Sequence, residues 1–325
     1  MASKSLIRNL LILSVAVTLV ASCGGKAGPT LTPTPVPEPS EAPQIDMYPY
    51  LTQMLNSLPD AWGLMPAQAV AALKPTLIDV REPDEYATGF IEGAINIPLR
   101  QLTRSLDALP LQDAEVVLVC DTGHRGAMGM VTLQLLGWKR AKSVYNGLRG
   151  WTEANLPLVQ QPVPKRPSGG KPKVDETLLA VLDDYLNRRL SFDLGKISVP
   201  ALLAAQQETP FEEYVDPESY TPGPPYLIDV SEPAEFAKGS LEGAVNMPIH
   251  TMLDHLEEIP WENPMIVTCG IESVLPLDRT WKRIVTLCIN GHRAAVAMMA
   301  LQLMGYRDVH ALEGGLKVWD TASQQ

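Results

Sequence analysis

Cysteine is scarce in this chain, with four in 325 residues, at Cys23, Cys120, Cys269 and Cys288. Four thiols in so long a chain do not make a disulfide framework. The absence of any Cys-x-x-Cys pair removes zinc ribbons and thioredoxin-type redox motifs, so neither a metal nor another cofactor is expected. Positive charge is also short. Lys and Arg number 26 against 37 Asp and Glu, a net charge of -11, which argues against nucleic acid as a partner because phosphate binding rests on cations. The apolar run from Leu10 to Val20 is too short for a comfortable membrane span. A chain that is 46% hydrophobic and 19% charged is neither disordered nor fibrous, and its length suits two domains, each able to bury its own core.

Lys4 and Arg8 precede the apolar run, and Ala21-Ser22-Cys23 follows it, which is the layout of a secretory signal over residues 1–22. Val20-Ala21-Ser22-Cys23 resembles a bacterial lipobox. That resemblance implies an exported protein whose lipidated Cys23 anchors it on the outer side of the cytoplasmic membrane or in the cell envelope; an ordinary signal peptide cut nearby is the other reading. Acyl chains hold firmly because each buried methylene contributes about 0.8 kcal/mol. Residues 23–46 are rich in Pro and Thr and read as an extended spacer.

Beyond the spacer one unit is written twice. Leu77-Ile78-Asp79-Val80-Arg81-Glu82-Pro83 recurs 150 residues on as Leu227-Ile228-Asp229-Val230-Ser231-Glu232-Pro233. Glu92-Gly93-Ala94-Ile95-Asn96-Ile97-Pro98 recurs as Glu242-Gly243-Ala244-Val245-Asn246-Met247-Pro248. Cys120-Asp121-Thr122-Gly123-His124-Arg125 returns as Cys288-Ile289-Asn290-Gly291-His292-Arg293 at an offset of 168, so the second copy carries an insertion, around 265–282. Domain 1 is expected at 47–159, a Pro- and Gly-rich linker at 160–173 and domain 2 at 174–325. Thr76 to Val80, Glu115 to Val119, Tyr226 to Val230 and Arg283 to Leu287 read as parallel strands buried on both faces. Pro83 and Pro233 suit the first turn of short helices, with Gly89 and Gly239 closing them. Long apolar helices are expected at Gly126 to Leu136 and Ala294 to Met304, closed by Gly137 and Gly305. The fold class is α/β, two tandem small parallel sheets flanked by helices.

Cys120 and Cys288 each stand where a buried strand ends and a helix begins, the address of ligand sites in open parallel sheets. A loop from cysteine to arginine with glycine inside presents backbone amides inward, next to the positive end of the helix. Such a nest is expected to lower the thiol pKa from about 8.5 and keep the sulfur anionic without a separate base. His124 and His292 then shape the loop, and Asp79 and Asp229 brace it. Arg125 and Arg293 either add positive charge at the rim or support the loop from behind. A buried structural thiol is the bland reading of each cysteine alone, and the repetition argues against it.

Together these blocks, closed by Gly147-Leu148 to Trp151 and Gly315-Leu316 to Trp319, resemble a rhodanese domain. The resemblance implies that Cys120 and Cys288 form persulfides, cradled by residues 121–125 and 289–293. The partners it implies are a small sulfur donor (thiosulfate, a mercapto acid or polysulfide) and a thiol acceptor, and the activity is sulfur transfer. A related fold whose loop is one residue longer carries phosphatase or arsenate reductase activity; four intervening residues favour sulfur. Where the family commonly has histidine and proline, this chain has Phe90 and Glu92, and Ser240 and Glu242, so those positions are not expected to act. Asp121 places negative charge beside Cys120, which disfavours dianionic thiosulfate. Arg81 becomes Ser231, which with the insertion makes a non-catalytic sulfur-carrier or docking role the alternative for domain 2. Cys269 lacks an arginine at the required spacing and reads as a strand residue; a resolving partner for Cys288 is its other reading.

Overall fold

The computed structural model describes residues 45–58, 60–160, 170, 172–207, 224–260 and 283–322. Cys23, Cys269, the insertion around 265–282 and most of the spacer and linker lie outside the described residues. The first half runs α1 (Tyr48–Asn56), β1 (Leu64–Met65), α2 (Ala67–Leu73), β2 (Thr76–Asp79), α3 (Pro83–Ala87), β3 (Ile95–Asn96), β4 (Val116–Val119), α4 (His124–Leu135), β5 (Ala141–Val144) and α5 (Gly147–Glu153). The second half repeats it as α6 (Glu176–Asp184), β6 (Lys196–Ile197), α7 (Val199–Gln206), β7 (Tyr226–Asp229), α8 (Pro233–Phe236), β8 (Val245–Asn246), β9 (Ile284–Leu287), α9 (His292–Leu303), β10 (Val309–Leu312) and α10 (Leu316–Ala322).

Each half is a five-stranded sheet, ordered β1-β5-β4-β2-β3 and β6-β10-β9-β7-β8, and every pairing is parallel. The expected α/β architecture is thus the observed one. β4 and β9 are buried along their whole length, as continuous apolar runs require. In register, Asp79 lies opposite Val119 and Asp229 opposite Leu287, so the two acidic residues end β2 and β7 beside the cysteines. The edge strands β1, β3, β6 and β8 were not anticipated; two residues are too few to show a period.

α4 and α9 begin at His124 and His292, two residues before the expected starts. Gly123 and Gly291 adopt left-handed φ values of +95° and +80° and turn the chain straight into the helix. The loop histidines and arginines therefore belong to the first helical turn. Gly137 and Gly305, both at φ +106°, close these helices as expected.

The halves do not keep separate cores. Every residue of α4 but Arg125, and every residue of α9 but Gln302, is buried, and the two helices pack on each other inside one apolar cluster shared by both halves. A helix apolar on all sides needs cover on all sides, and its own sheet covers only one. Each half retains a smaller cluster on the other face of its sheet. Polar contacts cross the boundary in related pairs: Arg100 Nη2 donates to Ser191 O at 2.9 Å, and His250 Nδ1 lies 3.1 Å from Leu55 O. Thr103 and Arg104 both bind Asp183, at 2.7 and 2.8 Å.

Candidate functional site

Each sulfur sits on a loop held from two sides. From the strand side it follows the buried ends of β4 and β9. From the other side the first turns of α5 and α10 grip the loop backbone: Leu148 N donates to Cys120 O at 2.7 Å and Arg149 N to Asp121 O at 2.9 Å. In the second half Leu316 N donates to Cys288 O at 2.9 Å and Lys317 N to Ile289 O at 3.1 Å. The approach is so close that a Cβ on Gly147 would overlap Cys120 O and one on Gly315 would overlap Cys288 O, and both glycines have positive φ. Only glycine fits there.

Gly123 N and Gly126 N point at Cys120 Sγ from 3.2 and 3.4 Å, the inward-facing amides that the loop sequence predicts. Cys288 Sγ donates to Asn290 Oδ1 at 3.6 Å. Both cysteines are buried and free. Burial overturns one expectation. Desolvation pushes the Cys120 thiol above its usual value, outweighing Arg125 and the amides of Gly126, Thr122 and Gly123, which pull it down. The amides are in place, but in this closed arrangement the sulfur has lost more water than they replace.

Both loop arginines are engaged by carboxylates. Arg125 binds Glu85 through both terminal nitrogens, at 2.5 and 2.7 Å, and Asp121 Oδ2 at 2.6 Å. Burial alone would lower the Arg125 pKa, yet its bond to Glu85 and its closeness to Cys120 raise it. That bond holds the Glu85 carboxyl near pH 2. Arg81 is buried: it binds Asp79 at 2.7 Å and the carbonyls of Glu85 and Gly89, and reaches Asp121 Oδ1 at 3.5 Å. Asp121 is thus engaged by two cations, although burial, the largest influence on it, raises its pKa. In domain 2, Arg293 binds Glu235 at 2.6 Å. Ser240 Oγ takes over part of the missing arginine's work by donating to Asp229 Oδ2 at 2.5 Å. Asp79 and Asp229 brace the following turn, accepting from Arg81 N at 3.0 Å and Ser231 N at 2.9 Å.

Glu85 and Glu235 were missed by sequence reasoning, although the signal was present. Glu82-Pro83-Asp84-Glu85 and Glu232-Pro233-Ala234-Glu235 each form a capping box, which fixes the last glutamate on the first turn of α3 or α8 facing the loop arginine. Asn96 and Asn246, also repeated, tie down the ends of β2 and β7 by donating to Asp79 O and Arg81 O, and to Asp229 O and Ser231 O. Phe90 is buried and stacked on Tyr86 at 4.1 Å, and Glu92 is exposed.

His124 and His292 each reach across to the other half. His124 Nε2 lies 2.9 Å from Leu194 O and His292 Nε2 lies 3.3 Å from Trp62 O. Burial lowers both to about pH 4, so both are neutral at pH 7 and anchor their loops rather than act as bases. The unfolded chain protonates them near pH 6.5 while the folded one resists until about 4, so stability falls as pH drops through that interval. Each contributes up to roughly 3 kcal/mol. Glu85 loses its contribution at lower pH, between about 4.5 and 2. Urea midpoints measured from pH 7 to 4 are expected to fall steadily, and His292→Asn to flatten that slope; a wild-type midpoint constant across the interval contradicts it.

A family model for the rhodanese-like domain matches residues 65–154 and 213–322, more than half of the chain. A thiosulfate:glutathione sulfurtransferase of Homo sapiens is 31% identical over 110 residues, covering 30% of this chain and 91% of that protein. A sulfurtransferase of Allochromatium vinosum is 30% identical over 83 residues, covering 26% and 77%. YrkF of Bacillus subtilis (strain 168) is 34% identical over 76 residues, 23% of this chain, and the match spans only 40% of its length. A crystal structure of thiosulfate sulfurtransferase from Pseudomonas aeruginosa aligns with 82% of this chain and 46% of its own at 22% identity and a TM-score of 0.33. The repeated loop, the two parallel sheets and the double match lead to one conclusion: this chain belongs to the rhodanese-like domain family and carries that domain twice.

Proposed function

We propose that the protein is a sulfurtransferase, moving a sulfane sulfur from a small donor to a thiol acceptor through persulfides on Cys120 and Cys288. The observation that carries this reading is a cysteine held by its own loop amides between a parallel strand and a helix N-terminus, Gly123 N and Gly126 N lying 3.2 and 3.4 Å from Cys120 Sγ. The thiol first releases its proton to solvent. The thiolate attacks the outer sulfur of the donor; a new S–S bond forms as the donor's bond to that sulfur breaks, its electron pair leaving on the remainder, such as sulfite from thiosulfate. A second thiolate then takes the terminal sulfur and the cysteine thiolate returns. The amides hold negative charge on either form of the sulfur without having to move. Four residues between cysteine and arginine make a cradle suited to one sulfur. Incubation with thiosulfate, mercaptopyruvate or polysulfide followed by intact-mass analysis tests the reading: a gain of one sulfur per reactive cysteine is expected, and no gain with any of the three overturns it.

The Val20-Ala21-Ser22-Cys23 segment supports a location outside the cytoplasm, on a lipid anchor at Cys23. Among the described residues no helix is long and apolar enough to cross a membrane. In a bacterial host the full chain is expected to sediment with membranes and Cys23→Ser to appear in the soluble fraction; identical fractionation of the two removes the anchor.

A further inference from the structure

The two halves meet through a matched pair of turns. Trp62 precedes Gly63 and Leu194 precedes Gly195; all four have positive φ, at +57°, +74°, +61° and +68°. Both glycines lie against the methionine of a central helix, Met130 or Met298, and both preceding residues present their carbonyl to the opposite histidine. Trp62 and Leu194 are therefore equivalent positions with different side chains. Side chains of neither kind settle into left-handed backbone readily, so tertiary contacts hold both turns.

The difference has a counterpart in the sulfur loops. The guanidinium of Arg293 lies over the Trp62 ring, 4.2 Å from its centroid, while Glu235 is its carboxylate partner among the described residues. Leu194 offers no ring, and Arg125 takes a second carboxylate, Asp121, from the position where the other loop has Ile289. Each loop arginine lies close enough to its own cysteine for the two charges to interact. One loop arginine is thus shared between two carboxylates, and the other is held between one carboxylate and an aromatic face that supports a cation without neutralising it.

We propose that Trp62, carried by domain 1, is a positioning residue of the Cys288 site, holding Arg293, whose carboxylate partner among the described residues is Glu235, so that this half receives the anionic sulfur donor faster than the Cys120 half. The inference deepens the sulfurtransferase reading and rests on it for its substrate, but its test does not require sulfur transfer. In the full-length protein, Cys120 and Cys288 are alkylated with neutral iodoacetamide and with anionic iodoacetate, and each site is followed by peptide mass. The ratio of the two rates reports positive charge at the sulfur and cancels accessibility and thiolate fraction, which affect both reagents alike. The iodoacetate preference is expected to be higher at Cys288 than at Cys120. Trp62→Ala is expected to lower it at Cys288 by about threefold and leave Cys120 unchanged, with Trp62→Phe restoring it. Trp62→Leu, which copies the residue at the equivalent turn, is expected to behave like the alanine variant and serves if that one does not fold. A role confined to packing would slow or speed both reagents together; equal ratios at the two cysteines, or a ratio at Cys288 unmoved by Trp62→Ala and Trp62→Leu, overturn the proposal.

Discussion

Serine at either Cys120 or Cys288 is expected to stop sulfur transfer through that half, with a loss of at least about 10³-fold in its turnover, because the hydroxyl neither ionises in the nest nor forms a persulfide. The partner half should continue, so each single variant still gains one sulfur and the double variant none. The measurement is donor-dependent thiol persulfidation with intact-mass readout on both single variants and the double variant. Full turnover in the double variant would place the chemistry elsewhere in the chain. The pH dependence carries a sign: because burial raises the Cys120 thiol, loading in the Cys288→Ser background should increase as pH rises above neutral.

A second large effect concerns stability. Arg81→Met removes the cation from Asp79, whose side chain has no exposure in the fold, and so leaves a buried carboxylate without its charge partner. Breaking such a pair on one side costs about 3–5 kcal/mol, more than the pair itself contributes. Thr88, Gly89 and the α3 turn should loosen with it, since Arg81 also holds the carbonyls of Glu85 and Gly89. Urea unfolding should show the loss, and Asp79→Asn added to Arg81→Met should recover part of it. A midpoint within experimental error of wild type would refute this role for Arg81. The second half already shows an alternative arrangement, with Ser231 in place of the arginine and Ser240 donating to Asp229.

How much of this was legible in the sequence differs by feature. The central strands and the address of Cys120 and Cys288 could be read directly, because continuous apolar runs and the repeated Cys-to-Arg block are local signals. Glu85 and Glu235 were written in the repeat but were missed, since nothing local to either residue marks its pairing with an arginine far along the chain. The Cys120 pKa could not be read, for it is a difference between water lost and amides gained, and only packing sets the first quantity. The shared core escaped because α4 and α9 look like ordinary buried helices in one dimension; what covers their second face is each other.

That mutual cover bears on how the molecule can be dissected. A single half made alone would present one bare apolar flank, the one that the central helix of the other half covers here. Gene fragments encoding residues up to 159 or from 174 onward are thus poor monomers by construction, and tethering two copies in one chain turns a concentration-dependent pairing into a permanent one.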